Sequence, residues 1–114
     1  MSVQIQPNLL DFVPQRNIDW EVNNKSQLIV LKKPKFENSF LKKHLLPLLR
    51  DPNFKIKLDK YGSQVWRYID GKHNVMQIAD SLKKEFGTAV DPVYERVGKF
   101  MLSLEKSKFI TYKD

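Results

Sequence analysis

Apolar and polar positions alternate with a period of two in the first half of the chain and with a period near 3.6 in the second. Ile18, Trp20 and Val22 alternate with Asp19 and Glu21, Asn23-Asn24-Lys25 supplies turn residues, and Gln27 to Lys32 is aliphatic and β-branched. That pattern predicts a β-hairpin whose second strand ends at Pro34, which has no N–H to give a ladder. Phe54, Ile56 and Leu58 then alternate with Lys55, Lys57 and Asp59, predicting a third strand with one apolar and one basic face. Between them, residues 38–49 set Phe40, Leu41, Leu45, Leu48 and Leu49 at roughly helical spacing behind Asn38 or Ser39 as N-cap, with Pro47 expected to kink or end the helix.

After Leu58 the helical period persists through three segments. The first runs from Asp59 or Lys60 to Ile69, capped by Asp59, with Val65, Trp66 and Ile69 inward, and ends at Asp70-Gly71-Lys72. Asn74 and Gln77 have the spacing of a capping box for the second, whose stripe is Val75, Ile78, Ala79, Leu82 and Phe86, with Gly87 as its stop. Asp91 is expected to cap the third behind Pro92 at the first helical position, with Val93, Val97, Phe100, Met101 and Leu104 as its stripe. Phe100 and Met101 are adjacent, so one fills the core and the other faces away. Phe109, Ile110 and Tyr112 read as a short closing strand or extended tail. Residues 1–17, with Pro7 and Pro14 and no clear period, read as an extended lead-in to one domain over residues 18–114.

The resulting class is α+β and winged-helix-like: an N-terminal hairpin plus a third strand forming a small antiparallel sheet packed on a three-helix bundle, with a helical insertion at about 36–53. A length of 114 residues suits one domain with one core. The absence of cysteine removes disulfide frameworks, thiolate metal sites and cysteine nucleophiles. His44 and His73 are the two histidines; both read as surface residues, and Trp66 reads as core. No nucleophile elbow, phosphate-cradling glycine loop or HExxH motif occurs, which points to a non-enzyme that needs no cofactor and holds no metal.

Charge adds a location. The net charge is +7. Residues 25–60 carry ten basic residues against Glu37, Asp51 and Asp59, whereas residues 61–114 carry nine basic and seven acidic. The surplus lies on the hairpin, the insertion and the third strand, where it can attract an acidic peptide, nucleic acid or an anionic membrane surface. The start, MSVQIQPNLLDF, lacks a charged leader before a long apolar run, and no segment nears the roughly 20 apolar residues of a membrane span, so a cytoplasmic location is expected.

The order and spacing of Leu58-Asp59, Val65-Trp66, Ile69-Asp70-Gly71, Val75-x-x-Ile78-Ala79, Phe86-Gly87 and Phe109-Ile110 resemble the PqqD family, named for protein D of pyrroloquinoline quinone biosynthesis. The resemblance covers residues 54–110, and the hairpin fits the family's first two strands. Two departures stand out: Ser107-Lys108 where a Gly commonly precedes the final Phe, and the leucine-rich insertion that compact members lack.

The resemblance implies a peptide-binding adaptor, the recognition element that holds the leader of a ribosomally made precursor peptide and presents it to a modifying enzyme, often of the radical SAM type. The peptide would add as a strand to Phe54, Lys55, Ile56, Lys57 and Leu58, opposite a helix carrying Arg96, Val97, Phe100, Met101 and Leu104. Lys55 and Lys57 are equally well read as edge-protecting lysines. A DNA-binding winged helix is the alternative from another class, and charge argues against it: the last helical segment sets Arg96, Lys99 and Lys106 against Asp91, Glu95 and Glu105, without the surplus of a groove-reading helix. For the insertion, sheet capping, a dimer contact, docking on a larger protein and a membrane-surface contact remain open.

Overall fold

The computed structural model describes residues 8–113 and resolves two compact units, residues 8–17 with 60–113 and residues 18–59. The α+β class with small antiparallel sheets is observed.

The sheet unit contains β2 (Asp19–Val22), β3 (Ile29–Pro34) and β4 (Asn53–Lys57) in the spatial order β2-β3-β4, all antiparallel. The hairpin turn is built as its composition predicts. Asn23 accepts side-chain hydrogen bonds from the Lys25 and Ser26 N–H groups at 2.9 and 3.1 Å, and Gln27 adopts φ 62° before β3 begins. Ile29, Val30 and Leu31 of the central strand are buried. Lys35 N–H donates to Pro52 C=O at 3.0 Å, so the β3–β4 connection leaves and rejoins the sheet at one place.

Within that connection α1 (Ser39–His44) is shorter than expected. Asn38 caps it, accepting from the Phe40 and Leu41 N–H groups at 2.9 and 3.4 Å. Pro47 has no N–H for the Lys43 carbonyl and its ring crowds that turn, so the chain tightens into a 3-10 turn over Leu46–Leu48. The expected apolar stripe is lost with the helix: Phe40, Leu45, Leu48 and Leu49 are exposed, and Leu46 is the buried leucine.

The helical unit holds α2 (Lys60–Tyr68), α3 (Val75–Phe86) and α4 (Val93–Lys106), with α3 packed against both others. Its core is the stripe set read from the sequence, with Val65, Trp66, Ile69, Val75, Ile78, Ala79, Leu82, Val93, Val97, Met101 and Leu104 buried. The α3 capping box is present: Gln77 N–H donates to Asn74 Oδ1 and Asn74 N–H to Gln77 Oε1, each at 2.8 Å. Gly71 (φ 78°) carries the turn out of α2 in a backbone conformation that L side chains disfavour. Asp91 does not cap α4. The helix begins at Val93, so Pro92, which has no side-chain acceptor, is its N-cap residue, and the Asp91 carboxylate pairs with Lys83.

The stretch read as an extended lead-in contributes structure. Leu9–Asp11 form a 3-10 turn, and β1 (Pro14–Arg16) pairs antiparallel with β5 (Ile110–Tyr112) in a second, two-stranded sheet. Arg16 donates from Nε to Trp66 C=O at 3.2 Å, which also accepts from the Ile69 N–H at 3.1 Å, and from a terminal guanidinium nitrogen to Arg67 C=O at 3.1 Å, adding donors at the last turn of α2. The first seven residues of that stretch lie outside the described residues. No described helix is long and apolar enough to cross a membrane.

Candidate peptide-binding edge

Two hydrogen bonds fix which way every backbone group of β4 points. Leu58 N–H donates to Ile29 C=O at 2.9 Å, and Pro52 C=O accepts from Lys35 at 3.0 Å. The pairing Lys33↔Phe54 and Leu31↔Ile56 lies in the same register. Antiparallel partners exchange hydrogen bonds at every second residue. Pro52, Phe54, Ile56 and Leu58 therefore turn their backbone groups toward β3, and Asn53, Lys55 and Lys57 turn theirs outward. The Asn53 N–H is engaged by Asp51 at 3.4 Å. Among the described residues no strand lies beyond β4, so the N–H and C=O groups of Lys55 and Lys57 form an open edge.

The same alternation sorts the side chains. One face carries Lys55, Lys57, Lys32, Val30, Asp19 and Glu21; the other carries Phe54, Ile56, Leu31 and Trp20, with Lys33 beside Phe54. Lys32 and Lys55 are direct cross-strand partners, an unfavourable like-charge pair that Glu21 relieves, with its carboxylate oxygens 3.5 Å from Lys32 Nζ and 3.9 Å from Lys55 Nζ. Lys57 has no carboxylate within ion-pair distance among the described residues. On the apolar face Phe54 is 54% exposed, with Lys35 Nζ 5.6 Å from its ring centroid, and Ile56 is half-buried.

In the helical unit, the α4 residues implied by the resemblance divide by burial. Val97, Met101 and Leu104 are core, with Met101 wholly enclosed, whereas Phe100 is half-buried and Arg96 is exposed. Arg96 donates to Ala89 C=O at 3.1 Å and lies 5.9 Å over the Tyr61 ring. Lys99 is paired with Glu95 at 3.0 Å.

Among the described residues no group of three or more His, Asp or Glu is placed to hold a metal ion. A shallow depression lined by Asp80, Lys83, Asp91, Pro92, Val93, Tyr94 and Glu95 has its polar groups engaged: Lys83 pairs with Asp91, Glu95 with Lys99, and Tyr94 donates to Asp80, which raises the tyrosine pKa. Burial, then the Glu105 charge, pushes the Tyr112 hydroxyl up to about 12, so it keeps its proton near neutral pH.

The family described as coenzyme PQQ synthesis protein D (PqqD) matches residues 49–110, more than half of the chain. The chain belongs to the PqqD family. No curated protein and no solved structure gives a significant match. The family match takes in all of β4 and of the α2–α4 segment, and it begins after β2 and β3. PqqD proteins are non-catalytic accessory proteins of PQQ biosynthesis that act as peptide-binding partners.

Proposed function

We propose that this protein is a non-catalytic adaptor that binds the leader of a ribosomally synthesised precursor peptide by strand addition to β4 and presents it to a modifying enzyme of the radical SAM type in the cytoplasm. The observation that supports this reading best is the open backbone edge at Lys55 and Lys57, inside the segment that matches the PqqD family. Exposed N–H and C=O groups give a strand affinity that does not depend on its sequence, and the side chains to either side select among strands. In the helical unit Val97, Met101 and Leu104 are buried and hold α4 in place, while Arg96 is exposed and Phe100 half-buried. DNA binding through α4 is not favoured, since Arg96, Lys99 and Lys106 of this segment are balanced by Asp91, Glu95 and Glu105.

The test is titration calorimetry of the full chain with a candidate precursor peptide from its genomic neighbourhood. The wild type should bind, and Lys55→Pro should not, because proline removes an outward N–H from the edge while leaving every β3–β4 hydrogen bond in place. Equal affinity in a folded Lys55→Pro protein rules out strand addition at this edge.

A further inference from the structure

The edge strand is chemically two-sided, and a strand added to it inherits that two-sidedness. Along β4 the outward-pointing backbone belongs to residues whose side chains are cationic, Lys55 and Lys57, while the intervening Phe54 and Ile56 form the apolar face. A neighbouring strand in register places its own side chains alternately beside these two rows. Resting on the reading of β4 as the receiving edge, we propose that the segment it takes is an amphipathic strand with carboxylates at every second position and aliphatic or aromatic side chains between them.

Charge on the lysine face supports the acidic half. Glu21 is the carboxylate nearest to Lys32 and Lys55 and is shared between them, and Lys57 has none within ion-pair distance among the described residues. A carboxylate delivered beside Lys55 and Lys57 adds charge-assisted contacts and offsets the Lys32–Lys55 repulsion across the ladder. The exposed Phe54 and half-buried Ile56 supply the apolar half, since an aliphatic side chain laid beside them removes area that water now covers.

The edge-protecting role of the lysines and this selective role are one mechanism. Two copies pairing β4 to β4 would set lysine against lysine on the same face, which is destabilising. An unrelated neutral strand finds no partner for the two ammonium groups. The acidic alternating strand escapes both penalties, so the residues that bar self-association also choose the ligand.

The experiment is selection of a random twelve-residue phage-displayed peptide library on the full chain, repeated on a Lys55→Glu, Lys57→Glu double variant whose fold is checked by its amide spectrum. The wild type should enrich Asp or Glu at alternate positions with Val, Ile, Leu or Phe between. The double variant should enrich Lys or Arg at those same positions. A synthetic copy of a peptide selected by the wild type should bind the double variant about tenfold more weakly. Alternating apolar peptides without an acidic preference, or one preference shared by both proteins, overturn the charge assignment and leave strand addition standing. Recovery of no alternating peptide overturns strand addition and this inference together.

Discussion

The ammonium of Lys55 on β4 lies 3.9 Å from a carboxylate oxygen of Glu21 on β2, reaching across the central strand of the sheet. Glu21 thus acts as an internal stand-in for an acidic ligand, while Lys32 draws on the same carboxylate at 3.5 Å. These groups are partly solvated, so the contact is weak and its removal releases the lysine at small cost. Glu21→Gln should therefore tighten binding of an acidic peptide about two- to fivefold at low salt, and the gain should shrink as salt is added. Calorimetry at two ionic strengths checks this; unchanged affinity at low salt would show that Glu21 does not compete for the lysines.

Proline substitutions along β4 should give opposite results at neighbouring positions. At Ile56, the middle of the strand, proline removes the N–H that pairs with Leu31 and should disrupt the sheet. At Lys55 the N–H points outward, so the variant should keep its fold and lose only peptide binding. Circular dichroism and thermal melts of the two variants make the comparison, and an intact Ile56→Pro sheet beside an unfolded Lys55→Pro sheet would reverse the assigned register.

Arg16 should matter to stability well beyond what a residue near the chain start suggests. Its guanidinium ends α2 by donating to the Trp66 and Arg67 carbonyls, and burial lowers its pKa in spite of the opposing charge of Asp70. Arg16→Met keeps most of the stem but removes two charge-assisted hydrogen bonds to backbone carbonyls, which should cost about 2 kcal/mol in urea denaturation. A loss of a few tenths would mean that water replaces the guanidinium freely.

Acid should weaken the turn between α2 and α3. Burial acts to raise the Asp70 pKa, but the Lys72 and His73 N–H groups at 2.9 and 3.2 Å and the His73 ring at 2.9 Å outweigh it and hold the carboxyl below its ordinary 3.8. A depressed folded-state pKa gives stability that is fully present above 3.8 and lost as pH falls through the lower folded value. Asp70→Asn should lower stability at neutral pH and flatten the acid limb below about pH 4, as read by urea melts stepped down to about pH 2.5. An acid limb as steep as the wild type's would remove Asp70 from the account.

Much of the fold was legible because it is periodic. The α2, α3 and α4 stripes, the Asn74–Gln77 capping box and the alternation of β2 and β4 each repeat enough times to declare themselves. Features set by one contact were not legible. β1 and β5 have three residues each, too few for a period, and nothing local to Arg16 indicates that carbonyls some fifty residues later need its donors. The apolar stripe of the insertion failed at Pro47, since helical spacing means nothing where the helix has ended. Asp91 has the right type for a cap, but α4 begins at Val93, which puts Pro92 at the N-cap and leaves the Asp91 carboxylate to pair with Lys83 on α3. At the candidate site the sequence shows that lysines alternate with apolar residues, yet which backbone groups face outward follows only from the register, through Ile29–Leu58 and Lys35–Pro52.

The most direct test of strand addition is an amide chemical-shift titration of the full chain with a candidate precursor peptide from its genomic neighbourhood, with a short DNA duplex as the comparison. The account predicts that peptide moves the amides of residues 53–58, that those of Lys55 and Lys57 gain protection from hydrogen exchange on binding, and that duplex DNA moves none of them selectively. Peptide that leaves β4 untouched, with shifts spread over the basic residues 25–60 on adding duplex, would contradict the account and leave the fold standing without its proposed function.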